Sequence, residues 1–300
     1  MATLTTPAGT AIPAQNGAPA PPPAVPRTRP ALAVVIGNVL LLAGVLLLAF
    51  AGYLTTGSRL QQAHSQNLLY DQLRVTLKHS TTPVAEPIIP GTPIAMLQSP
   101  RLGGSQVVVE GTAGRDLMRG PGHRPDTPLP GQQGVSVIFG RALAYGGPFG
   151  ELQLLRVGDP VTVVTGQGRF TYRIDSVRRS DQSFTRLPAA ASRLSLVTSD
   201  GSWTPSQYWV ASGTLVAGTP YAVPVPGLAA PVQDQPLQGD SGSAVALLLW
   251  SQLLLVVVAL AAWGWLRLPR VIVWVGATPV ALAVLWNVFT NLSALLPNLL

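Results

Sequence analysis

The chain has 300 residues, 47% of them apolar and only 10% charged, and it has no cysteine. Soluble globular chains carry about 25% charged residues, so part of this one is expected in lipid. The absence of cysteine excludes a disulfide framework, a zinc–thiolate site and any thiol nucleophile, and the length allows one or two domains.

The net charge of +7 is not a nucleic-acid signature once the charges are placed. All twelve acidic residues lie between Asp71 and Asp240, and fifteen of the nineteen basic residues lie between Arg59 and Arg193. The other four, Arg27, Arg29, Arg267 and Arg270, each sit close to an apolar run, as membrane-topology charges do.

Residues 1–30 are Ala, Pro, Thr and Gly with almost no large apolar side chain, which predicts a disordered tail. Residues 31–54 carry no charge and are long enough to span ~30 Å of hydrocarbon at about 1.5 Å per residue. Ala49-Phe50-Ala51 offers a signal-peptide cleavage pattern, but the apolar run exceeds the usual ~7–15 residues, which favours a retained anchor. Residues 55–91 read as a stalk and linker. Leu60, Leu69, Leu73 and Leu77 predict a helix over 58–80, either continuing the span outward or packing on an outer domain. His64 and His79 lie on it without metal-ligand spacing.

Residues 92–218 change texture. Short apolar runs at 93–97, 106–109, 135–139, 160–165, 170–177, 194–198 and 208–216 alternate with glycine-rich turns, which predicts a closed or nearly closed β-barrel or a sandwich. Residues 149–156 read as a one-to-two-turn helix. Residues 219–243, rich in Pro, Gly and Gln, read as a linker back to the membrane. Two more uncharged spans follow at 244–266 and 271–290, joined by the basic turn Arg267-Leu268-Pro269-Arg270. The positive-inside rule places both the tail and this turn in the cytoplasm, so residues 55–243 and the end of the chain face outward.

The middle of the chain resembles the sortases of class D/E type, membrane-anchored transpeptidases of Gram-positive cell surfaces. The resemblance rests on Pro93–Leu97 followed by Val107–Thr112, on Arg119-Gly120-Pro121-Gly122-His123 through Pro128–Gly131, and on Val137–Gly140 with Tyr145–Phe149. Leu154–Arg156, Gly158-Asp159 and Leu196-Val197-Thr198 continue it in order. It implies a mainly β fold: a closed sortase barrel of about eight strands outside the membrane, with three transmembrane α-helices beside it.

The family's chemistry uses a cysteine thiolate against a backbone carbonyl, a histidine to move protons and an arginine to steady the oxyanion. Carried over by position, these become Ser199, Arg141 and Tyr208, with Gln207 in place of Tyr208 if the register slips by one. A serine hydroxyl needs an adjacent base, and arginine stays protonated. Asp200 is a feeble base at an ordinary carboxylate pKa near ~4 and is expected to pair with Arg141, closing part of the cleft. His123, Tyr145 and Asp200 are the residues expected to line that cleft. His123 is a base only if its loop folds over Ser199 and otherwise makes structural hydrogen bonds. Gly239-Asp240-Ser241-Gly242 imitates a serine-protease motif but precedes a span, and Gly166-Gln167-Gly168 reads as a hairpin turn rather than a phosphate loop.

The expected function is that of a catalytically silent pseudo-sortase: an integral plasma-membrane protein that binds an extended peptide or surface protein in the former active-site cleft. The lipid bilayer is its other partner, with no nucleic acid, metal or cofactor expected. Two alternatives stand beside it. One is a transpeptidase or hydrolase using Ser199, and the other is an accessory subunit of a membrane assembly.

Overall fold

The computed structural model describes residues 31–79, 87–180, 192–202, 207–222, 242–267 and 269–299. The tail 1–30, most of the linker 219–243 with Gly239-Asp240-Ser241, and Leu268 lie outside the described residues. The chain divides into two units between Leu46 and Leu47.

Helix α1 (Ala31–Gly52) has no charged residue, and its Val and Leu side chains stand exposed, as expected of a surface made for lipid. A π turn at Tyr53–Gly57 leads directly into α2 (Ser58–Lys78). Residues Ala33–Lys78 are helical throughout, with the π turn inside that run. Helix α2 packs on the barrel. Leu69 and Leu73 are buried with Val107 and Val109. Gln66 accepts from the Val107 N–H at 2.7 Å and donates to the Val107 and Arg119 carbonyls.

Eight strands close the barrel: β1 (Pro93–Ser99), β2 (Gly104–Glu110), β3 (Gly122–His123), β4 (Val135–Phe139), β5 (Pro160–Thr165), β6 (Gly168–Ser180), β7 (Arg193–Ser199) and β8 (Tyr208–Ala217). Their order around the barrel is β1-β2-β3-β4-β7-β8-β6-β5, and β5 closes on β1. Seven of them fall on the apolar runs read from the sequence. The eighth, β3, has two residues and therefore no periodicity to read; Gly122 is needed there because a Cβ would meet the Gly111 carbonyl at 2.1 Å. A short helix α3 (Gly114–Leu117) links β2 to β3. Closure leaves no sheet edge, and Leu97, Val108, Ile138, Phe170, Tyr172 and Leu196 fill the interior.

The helix expected at 149–156 is only a 3-10 turn at Leu152–Leu154. Leu155 is already extended, and Asp159 accepts from the Arg156 N–H at 2.8 Å, which turns the chain into β5.

Helices α4 (Ser243–Arg267) and α5 (Arg270–Ala294) pair, with Trp265 edge-on to Trp274 at 5.8 Å. Pro269 sits at the N-cap of α5, where the missing N–H of proline does no harm. Among the described residues, three helices are thus long and apolar enough to cross a membrane.

Candidate functional site

Two parallel neighbours build the site. Strands β4 and β7 run side by side, with Phe139 opposite Val197. The Gly140 N–H donates to the Val197 carbonyl at 3.0 Å, and the Thr198 hydroxyl donates to the Gly140 carbonyl at 2.8 Å. Arg141 and Ser199 therefore leave the two strands at the same barrel end. Tyr208 pairs directly with Ser199 across β7 and β8. The topology thus gathers Arg141, Ser199 and Tyr208 from three separate stretches of sequence.

Ser199 is 1% exposed. Its hydroxyl donates to the Leu299 carbonyl at 2.8 Å, and the Ala142 N–H donates to the same oxygen at 3.0 Å. Asp200 beside it caps its own turn, accepting from the Ser202 N–H at 3.1 Å and the Ser202 hydroxyl at 2.7 Å.

Arg141 has no exposed surface. The ion pair expected with Asp200 does not form. Instead, Arg141 Nη2 donates to the Gly114 carbonyl at 3.2 Å, and the guanidinium lies 5.0 Å from the centre of the Tyr145 ring. Burial draws its pKa below the ordinary arginine value, down to about 10, and the neighbouring tyrosines offset only part of that. Its Nε has no hydrogen-bond partner.

Tyr145 is fully buried in the left-handed region, at φ +53. Its N–H donates to Ser58 Oγ at 2.9 Å, and its hydroxyl meets Ser293 Oγ at 2.6 Å and the Tyr53 hydroxyl at 3.2 Å. Tyr53 in turn reaches Thr290 Oγ1 at 3.0 Å. Tyr145 therefore ties the loop after β4 to α2 and α5. Burial, with Tyr53 adding to it, pushes its phenol well above the ordinary value. Burial also raises Tyr208.

His123 makes the structural hydrogen bonds. Its Nδ1 meets Glu110 Oε2 at 2.9 Å, and its Nε2 faces the Pro128 carbonyl at 3.0 Å and Thr127 Oγ1 at 3.2 Å. Both His123 and Glu110 are buried, and the ring is engaged on both sides.

The residues that sequence reading passed over are those after α5. Asn298 and Leu299 are fully buried, and Asn298 Nδ2 donates to the Thr112 carbonyl at 3.3 Å. Their one signal in the sequence is the break that Pro297 and Asn298 make in an apolar run. Beside the site, a half-open cavity of about 320 Å³ is lined by Arg59, Gln106, Ala142, Gly146 and Glu151 among others. The described residues contain no cluster of His, Asp and Glu able to hold a metal.

Comparison with known proteins places this barrel. Residues 97–216 match the family model described as Sortase domain. Over 97 residues the chain is 30% identical to Sortase D of Bacillus subtilis (strain 168), covering 32% of this chain and 48% of that protein. The chain thus spans about half the length of the curated relative it matches. Among solved structures, the Clostridium perfringens Sortase D5 transpeptidase is 20% identical, with a TM-score of 0.44 over 52% of this chain and 98% of the other. Sortase E from Streptomyces avermitilis is 28% identical, with a TM-score of 0.38 over 43% and 91%. On the family match and the sequence identity with Sortase D, residues 97–216 are similar to a sortase domain.

Proposed function

We propose that the chain is a membrane-held, catalytically silent sortase relative whose barrel lies outside the cell and whose cleft holds an extended peptide. The observation that carries this reading is the Ser199 hydroxyl, which spends its proton on a peptide carbonyl at 2.8 Å. A nucleophile has to lose that proton to a base. Arg141, even drawn down to about 10, is protonated at neutral pH and cannot take it. His123 is occupied by Glu110 and Pro128. Ser199 thus serves as a hydrogen-bond donor to a peptide backbone, a role that needs no thiol. Strand-lined grooves bind extended peptides through just such backbone contacts.

The test is turnover. Full-length protein in detergent, incubated with a labelled sorting-type peptide and an amine acceptor, is expected to give neither cleavage nor transfer. Turnover abolished by Ser199→Ala but kept in Ser241→Ala overturns the silent reading in favour of a serine transpeptidase or hydrolase.

A further inference from the structure

The segment after α5 enters the barrel end and occupies it. Leu299 is fully buried, with Leu117, Val137, Phe139, Val197 and Val210 around its side chain. These five come from α3, β4, β7 and β8, so separate elements converge on one leucine. Its carbonyl takes both donors that face it, Ser199 Oγ–H and Ala142 N–H. Asn298, also without exposed surface, donates from its amide to the Thr112 carbonyl. Two steps back along the segment, Leu296 packs with the cluster around Tyr145 and Phe289. One short stretch thus meets an apolar socket, a two-donor carbonyl site and a backbone acceptor together, which is how a groove recognises a peptide.

We infer that residues 295–299 are an intramolecular peptide ligand of the cleft, and that Ser199 and Ala142 are the groups that hold it. This deepens the peptide-binding reading above and rests on it for any outside ligand. The same contacts define the outside class: a short, turn-forming peptide with a small amide side chain followed by an aliphatic residue. Such a peptide gains access only by displacing the chain's own segment, so its apparent affinity is reduced by the fraction of time the segment is bound.

The absence of native cysteine makes a direct test possible. Full-length Leu299→Cys, reconstituted in nanodiscs, is labelled with a water-soluble maleimide beside Val216→Cys, whose native side chain is 53% exposed. The expected result is slow labelling at 299 and fast labelling at 216. Adding Ser199→Ala is expected to speed labelling at 299 by about fivefold, the effect of one lost hydrogen bond on opening. Simple burial in lipid would not respond to Ser199. Equal rates at 299 and 216, or no response to Ser199→Ala, overturns the proposal. The peptide Leu-Leu-Pro-Asn-Leu, added in excess, separates the two readings. Acceleration at 299 supports both. Slow, Ser199-dependent labelling that the peptide does not change keeps the internal ligand and removes the outside peptide. Fast labelling at 299 with peptide binding retained removes the internal ligand alone.

Discussion

Arg141 keeps its charge in a place with no exposed surface, one hydrogen bond to Gly114 and an aromatic face for company. Burial draws its pKa below the ordinary arginine value, to about 10, so the charge is not fully compensated by its partners. A buried charge without a full set of partners is often less stable than an apolar side chain of similar volume. Arg141→Met is therefore expected to raise the unfolding free energy of the detergent-solubilised protein by about 1–3 kcal/mol, read by calorimetry as a higher thermal midpoint. A lower midpoint would mean that the Tyr145 ring and the Gly114 carbonyl stabilise the cation fully. Tyr145 gives the pH dependence. Burial raises Tyr145 and Tyr172 above the ordinary tyrosine value of 10, so above pH 10 the folded chain keeps protons that the unfolded chain releases. Their contribution is intact below pH 10 and is lost as pH rises toward their folded values; Arg141, lowered to about 10, acts in the opposite direction over that interval. Tyr145→Phe should flatten the alkaline fall in unfolding free energy by up to ~1.4 kcal/mol per pH unit, measured by denaturant titration between pH 10 and 12. An unchanged slope would show that this phenol titrates alike in both states.

At the scale of elements, α2 decides how the barrel is held. Its sequence is mostly polar, yet Leu69 and Leu73 are each 1% exposed and meet Val107 and Val109 on β2. Leu69→Ala and Leu73→Ala are each expected to lower stability by about 2–5 kcal/mol, whereas Leu60→Ala, at a side chain 68% exposed, should change it little. Equal effects at all three positions would mean that α2 does not dock. The leucine spacing made the helix legible. It left open whether the helix docks or stands free, because that depends on the β2 surface and on Gln66, which bonds the Val107 backbone in both directions. The short β3 shows the opposite limit. Two residues have no pattern to read, and the His123–Glu110 contact that anchors them joins side chains thirteen positions apart.

For the whole molecule, the basic residues flanking the apolar runs predict a cytoplasmic tail and an outward barrel. Val216→Cys should be labelled by a membrane-impermeant maleimide on intact cells, and Thr5→Cys only after lysis. The reverse pattern would invert the topology.

Composition and periodicity by themselves determined three apolar spans, a mostly β middle and the absence of any thiol, because lipid thickness, strand alternation and side-chain chemistry are all local properties. Ordered motifs added the barrel's likeness to the sortases. The meeting of Ser199 with Leu299, one hundred positions away, was decided only by the tertiary structure, as was the turn of Arg141 toward Tyr145 instead of Asp200. Each depends on how β4, β7 and α5 are placed around one barrel end. Hydrogen bonds and apolar sockets form between groups that are neighbours in space, and local sequence carries no record of that proximity.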